Sequence, residues 1–273
     1  MSFTPAVPLS GLAGYRFLEN TRETQIANLA NSPEIKRNIE YFKENIGTIT
    51  SAEELVADRQ LLTVVMSSYG LADETYKTAF IRKILDEGVE DQDSLGFRLN
   101  NQDYKDMATD LKLDTDSPRT GWQTVQDKIV SNYVEQTYEV AVGDQDISLR
   151  QALDFKRQAA DTSTSGGGWF SFMGDASMRD VLQTALNLPS DIAALDIDKQ
   201  NEMFETRALS ILGSKDASVL NDPAVIDKVV SRYLLINQAQ SGASSFNPAL
   251  VLLGNISSGF GPSASQSLFN SSF

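Results

Sequence analysis

PEIKRNIEYFKENIGTITSAEELVADRQLLTVVMSSYGLADETYKTAFIRKILDEG, residues 33–88, decides the fold class, because each of its segments carries the start and stop chemistry of a helix. Ser32 stands where an N-cap belongs, Pro33 suits the first helical position, and Ile35, Ile39, Phe42 and Ile46 recur at spacings of four, three and four before Gly47. Ser51 and Glu54 form a capping box ahead of Leu55, Leu62, Val65, Met66 and Tyr69, and Gly70 supplies a left-handed stop. Asp73 is placed to cap a run through Phe80, Ile81, Ile84 and Leu85 to Gly88. The spacing predicts three helices here, the last two packed as a hairpin.

Working outward, the same punctuation recurs and strand alternation is scarce. A helix is expected from about Leu12 to Leu29, and Asn101 is placed to cap another running to Leu111. Trp122, Val125, Ile129, Tyr133, Val134 and Tyr138 trace one stripe down a long helix that Gly143 closes. Asp146 then caps a partner bearing Leu149, Leu153 and Phe155, which predicts an antiparallel pair. Later runs end at Pro189 and Gly213, Asp222 with Pro223 starts a helix carrying Ile226, Val229, Val230, Tyr233 and Leu234, and a short apolar turn, ALVLLG, follows Pro248.

The resulting expectation is an all-α, multi-helix protein divided by a Gly/Ser linker. A flexible N-terminus spans 1–11, a helical subdomain 12–161, a Gly/Ser and aromatic linker 162–174, a second helical subdomain 175–254, and a disordered Ser-rich tail 255–273. VVMSSYGLADE (64–74) and VLQTALNLPSDI (181–192) share a helix end with a Leu just past the stop. IRKILDEG (81–88) and ALSILGS (208–214) follow in the same order. Two pseudo-repeated subdomains would produce this match, and so would the ease with which helical patterns align.

Composition restricts the chemistry. The 273 residues hold 23 Lys and Arg against 37 Asp and Glu, a formal charge of −14, so nucleic acid is not an expected partner. Cys and His are absent, which removes thiolate nucleophiles, zinc ligands of the usual kind and the Ser–His–Asp arrangement. The first fifteen residues lack Lys and Arg and are broken by Pro5 and Pro8, unlike a cleavable Sec signal, and no apolar run reaches the length of a membrane helix.

The acidic pairs Asp91/Asp93, Asp114/Asp116, Asp144/Asp146 and Asp196/Asp198 suggest calcium. An EF-hand starting at Asp91 would put Leu95 at its fifth position and Gln102 at its twelfth, so these residues read as helix caps. GGG at 166–168 has neither the strand nor the Lys of a phosphate loop. No catalytic residue, cofactor or metal site is expected. Trp169, Phe170, Phe172 and Met173 follow the glycines directly, so they either close over the core or form a partner-binding patch. With Phe260 and Phe273 of the tail they are the candidate contact residues.

Residues 33–88 also carry a resemblance. The YFKENI of Tyr41–Ile46, the aliphatic helix Leu61–Leu71 with its Gly–Leu step, and FIRKILDEG from Phe80 to Gly88 resemble an uncharacterised alphaproteobacterial family, a domain of unknown function often encoded beside flagellar basal-body and motor genes. That resemblance implies a setting, the bacterial flagellum, and flagellar proteins as partners; it transfers no activity and no site. The expectation is a non-catalytic structural or assembly component that binds other proteins, located in the flagellum or the cytoplasm. A cytoplasmic export chaperone with an exposed apolar groove is the alternative. An enzyme working through carboxylates would instead show a concave pocket of convergent Asp or Glu with perturbed titration.

Overall fold

A computed structural model describes residues 3–99 and 101–242, and among these it contains thirteen α-helices, four short 3₁₀ turns and no strand. The quoted stretch supplies α2 (Pro33–Asn45), α3 (Ala52–Ala57), α4 (Arg59–Ser68) and α5 (Thr78–Glu87), preceded by α1 (Gly11–Ala30). The capping box forms: the Ser51 hydroxyl accepts from the Glu54 amide at 3.2 Å, while the Glu54 carboxylate reaches back to the Thr50 amide at 2.7 Å. One helix expected beyond it is two. Asp58 breaks the chain in an extended conformation and its carboxylate accepts from the Gln60 and Leu61 amides, which starts α4 afresh. Ser32 makes no side-chain cap. Asp73 caps nothing either, because it lies in a 3₁₀ turn and α5 begins only at Thr78.

The connector contains the single turn α6 (Leu95–Arg98), and α7 (Gln102–Leu111) opens with Asn101 accepting from the Tyr104 amide. The expected long pair is α8 (Gln123–Gly143) and α9 (Ile147–Thr164), joined by a tight turn whose Asp146 accepts from the Ser148 and Leu149 amides. Trp122 does not join the α8 stripe: it precedes the helix, half exposed, with the Arg119 guanidinium 5.0 Å over its ring. α10 (Trp169–Gly174), α11 (Ala176–Ala185), α12 (Ile197–Leu212) and α13 (Pro223–Gly242) complete the described chain.

The α8–α9 pair is the spine. α2 and α4 pack on α8, whereas α11, α13 and the 3₁₀ turn Ala217–Asn221 pack on α9. α1 touches α8, α9 and α13 together, so the ends of the described chain meet. Buried side chains form one continuous cluster from Tyr15 and Leu18 to Tyr233 and Leu234. Residues 3–10, expected as a flexible lead-in, are tied down: the Ala6 amide donates to Gln25 Oε1 at 2.7 Å and Gln145 Nε2 donates to the Pro5 carbonyl at 2.8 Å.

The expected linker is partly helix, since α9 runs through Thr164 and α10 starts at Trp169; only the intervening residues turn, with Gly166 and Gly168 at positive φ. The paired helix ends at 70 and 187 share one geometry. Leu71 donates to the Met66 carbonyl and Leu188 to the Gln183 carbonyl, each following a left-handed residue, Gly70 or Asn187. Both are the Schellman arrangement with its apolar residue just past the stop, so a local helix-ending rule accounts for this part of the sequence match without duplication.

Trp169 is buried between Phe172 and Phe204, with ring centres 5.9 and 6.0 Å away, and its indole N–H donates to the Lys215 carbonyl at 2.7 Å. Phe170 points outward and is 44% exposed. Trp169→Ala should therefore cost about 3–5 kcal/mol of folding stability, and Phe170→Ser less than about 1 kcal/mol, read by urea denaturation. Similar midpoint shifts for the two variants would mean that α10 is not locked over the core.

Candidate functional site

Two polar stripes at helical spacing face each other across the spine. On α8 they are Lys128, Asn132, Gln136 and Glu139; on α9, Asp154, Arg157, Gln158 and Asp161. Glu139 is 1% exposed, and Arg157 grips it with Nε 3.0 Å from Oε1 and Nη2 3.2 Å from Oε2, while also donating to Asp154 at 2.5 Å. Burial pushes Glu139 above the ordinary glutamate range, and the guanidinium pulls it back only in part.

Beside this ion pair lies a cleft of about 410 Å³. Its walls come from the end of α4 (Ser68, Tyr69), the start of α7 (Asn101 to Asp106), the stripes of α8 and α9, and the α10–α11 junction at Asp175. Four carboxylates line it, Asp103, Asp106, Asp161 and Asp175. Asp106 accepts from Gln102 Nε2 at 2.7 Å and Asp175 caps α11 through the Met178 amide at 2.7 Å. The carboxylates of Asp103 and Asp161 accept no hydrogen bond from any described residue.

Half-burial raises Asp103 from an ordinary 3.8 to about 7, and the charges of Asp175, Asp154 and Asp106 push the same way against Arg157. Asp106 and Asp175 are raised too, again mainly by loss of solvent. The floor holds Gln136, only 8% exposed, whose carboxamide makes no hydrogen bond with a described residue. Asn132, one turn away on α8, is likewise unpartnered. Among the described residues no group of three or more acidic side chains is placed to hold a metal ion, and no helix is long and apolar enough to cross a membrane.

Sequence reasoning looked elsewhere. Trp169, Phe172 and Met173 are in the core and only Phe170 offers surface. Phe260 and Phe273 lie outside the described residues, as does ALVLLG. Of the acidic pairs, Asp91, Asp146 and Asp196 do accept backbone amides two residues on, but Asp144 sits at the C-terminal end of α8 and not at a helix start. The cleft carboxylates come from three separate segments, which is why pair spacing missed them. The available signal was the polar stripe at i, i+3, i+4 and i+7 on α9 facing Lys128, Asn132 and Gln136 at i, i+4 and i+8 on α8.

A family model described as a protein of unknown function, DUF1217, matches residues 68–226, more than half of the chain. That window contains every residue lining the cleft and, of the stretch 33–88 that carried the resemblance, only the last part. The crystal structure of an Agrobacterium tumefaciens protein superposes with a TM-score of 0.73 at 27% identity, covering 87% of this chain and 99% of that one. No functionally curated protein matches.

Between an unfolded value near 3.8 and a folded value of about 7, Asp103 keeps a proton that the unfolded chain has lost. Its contribution to stability is therefore full below about pH 4 and is lost as pH rises through about 7. Relative to Asp103→Asn, the wild-type chain should lose thermal stability steadily across that window. Parallel melting curves at every pH would show that this carboxyl titrates as an exposed one.

Proposed function

The chain belongs to the DUF1217 family, and we propose that it works by binding, as a non-catalytic structural or assembly component of the bacterial flagellum whose contact site is the cleft between α7, α8 and α9. The flagellar setting rests on the resemblance carried by Tyr41–Ile46, Leu61–Leu71 and Phe80–Gly88. Binding rests on Gln136. Its carboxamide lines the cleft without a hydrogen-bond partner among the described residues, so a ligand there can supply hydrogen bonds that the chain does not. The cleft lining of amides, hydroxyls and charges suits a polar protein segment better than the apolar helices an export chaperone would hold.

A second reading has one observation in its favour: Asp103, holding its proton up to about pH 7, is suited to act as a general acid. It lacks an identified nucleophile or substrate, so binding is preferred.

Gln136→Leu separates folding from function. Replacing an amide that bonds no described residue should change stability by less than about 1 kcal/mol, while recovery of flagellar components in a pull-down from native cells falls. If the wild-type protein recovers no basal-body components, the flagellar role is wrong. Cell fractionation distinguishes the chaperone, which would stay wholly cytoplasmic.

A further inference from the structure

We propose that the cleft is a receptor for a protonated amino or guanidinium group, of the kind a lysine or arginine side chain carries. The inference deepens the binding reading and rests on it. Its basis is a mismatch of charge between the lining and what stands behind it. Lys128 is engaged by Asp110 at 2.6 Å and Arg157 by Glu139 and Asp154, and none of these three acids lines the cleft. The lining cations are thus neutralised from outside, leaving Lys105 as the lining cation that makes no ion pair with a described residue.

The lining carboxylates form no ion pair of their own, and Arg157 and Lys128 act on them only at longer range. Asp103 and Asp161 accept nothing from the described chain, and Asp106 and Asp175 are engaged only by neutral amides. The charges of Asp106, Asp161 and Asp175 attract a cation, a bound cation favours the ionised form of Asp103 as well, and the chain's net charge of −14 adds a long-range pull of the same sign. An acidic cluster alone would not make a site. Gln136 is the independent observation: the residue is 8% exposed, lines the cleft, and its carboxamide makes no hydrogen bond with a described residue, so its carbonyl oxygen is available to an N–H donor.

Asn132, a turn away on α8, offers a second neutral acceptor. An ammonium or guanidinium group has only donors to give, so it can satisfy amide oxygens and carboxylates together, which an anion or a neutral acceptor cannot. At about 410 Å³ the cleft falls in the size range of small-ligand sites and can admit a whole basic side chain with part of its backbone.

Titration of the full chain, followed by NMR or calorimetry, decides the matter with acetyl-arginine amide, acetyl-lysine amide and putrescine as probes and acetyl-glutamate amide and acetyl-norleucine amide as controls. The cationic probes should bind at up to millimolar concentration and the controls should not. Asp103→Asn and Gln136→Leu should each weaken the cationic probes about ten-fold or more, while Glu40→Gln, exposed on α2 and outside the cleft lining, leaves binding unchanged. If Gln136→Leu does not fold, Asp103→Asn and Asp161→Asn carry the test.

Preference for the amino-acid amides over putrescine identifies a protein side chain as the source, and the reverse preference identifies a free amine; either supports cation recognition. Absence of binding, or equal binding of acetyl-glutamate amide, overturns it. Recovery of basal-body components without cation binding would remove this inference and leave the broader reading intact. Cation binding with no such recovery would do the opposite.

Discussion

The antiparallel pairing of α8 with α9 is the constraint on which the rest of the structure depends. Its apolar faces receive the two flanking groups of helices, α2 and α4 on one side and α11 and α13 on the other. Its polar faces are fastened by Arg157 on Glu139. A charge as enclosed as Glu139 is tolerable only with a fork of donors against it, and that fork fixes the register of one helix along the other. The short turn at 144–146, held by Asp146, permits little slippage. α1 then closes the assembly by touching α8, α9 and α13, and Arg22 of α1 pairs with Glu135 of α8.

The same pairing creates the cleft. Polar stripes on two adjacent helices cannot be covered by apolar neighbours without stranding their hydrogen-bonding groups. Where Arg157, Glu139 and Asp154 satisfy one another, the stripes close. A turn or so further on they do not, and Gln136 and Asn132 are left facing open space with the acids of α7 opposite. Loss of solvent there raises the aspartates, with Asp103 at about 7 the clearest case. A stability-driven sequence would have placed apolar residues at 136 and 103; their absence is what gives the cleft its functional interest.

Sequence reasoning read helix identity well and helix ends unevenly. Gly70, Gly88 and Gly213 end helices at positive φ as expected, Gly143 is the last residue of α8, and Ser51, Asn101 and Asp146 cap helices. It failed where two capping residues competed. Asp58 lies inside a run that reads as continuous apolar periodicity, yet its carboxylate satisfies two free amides and divides the helix. Asp73 had the right chemistry but sits in a tight 3₁₀ turn, so its carboxylate has no helical amides to meet. Trp122 matched the period of α8 and fell before its start, because periodicity gives no boundary. The likeness of the ends at Leu71 and Leu188 likewise reflects one rule of helix termination used twice.

By itself the sequence determined that the described part of the chain is all-α and that the whole is acidic and without Cys or His chemistry, because periodicity, caps and composition are local or summed properties. Burial of Trp169, Phe172 and Met173 was one of two outcomes open to it, since a run of large apolar residues after a flexible turn fits both core and surface. Tertiary packing decided between them by bringing Phe204 from α12 and the Lys215 carbonyl to the indole. It also decided the site: Asp103, Gln136 and Asp175 are dozens of residues apart and meet only because the start of α7 and the α10–α11 junction are brought beside the α8–α9 hairpin. Charge and hydrogen-bonding partners depend on distance in space, and no spacing along the chain encodes that distance.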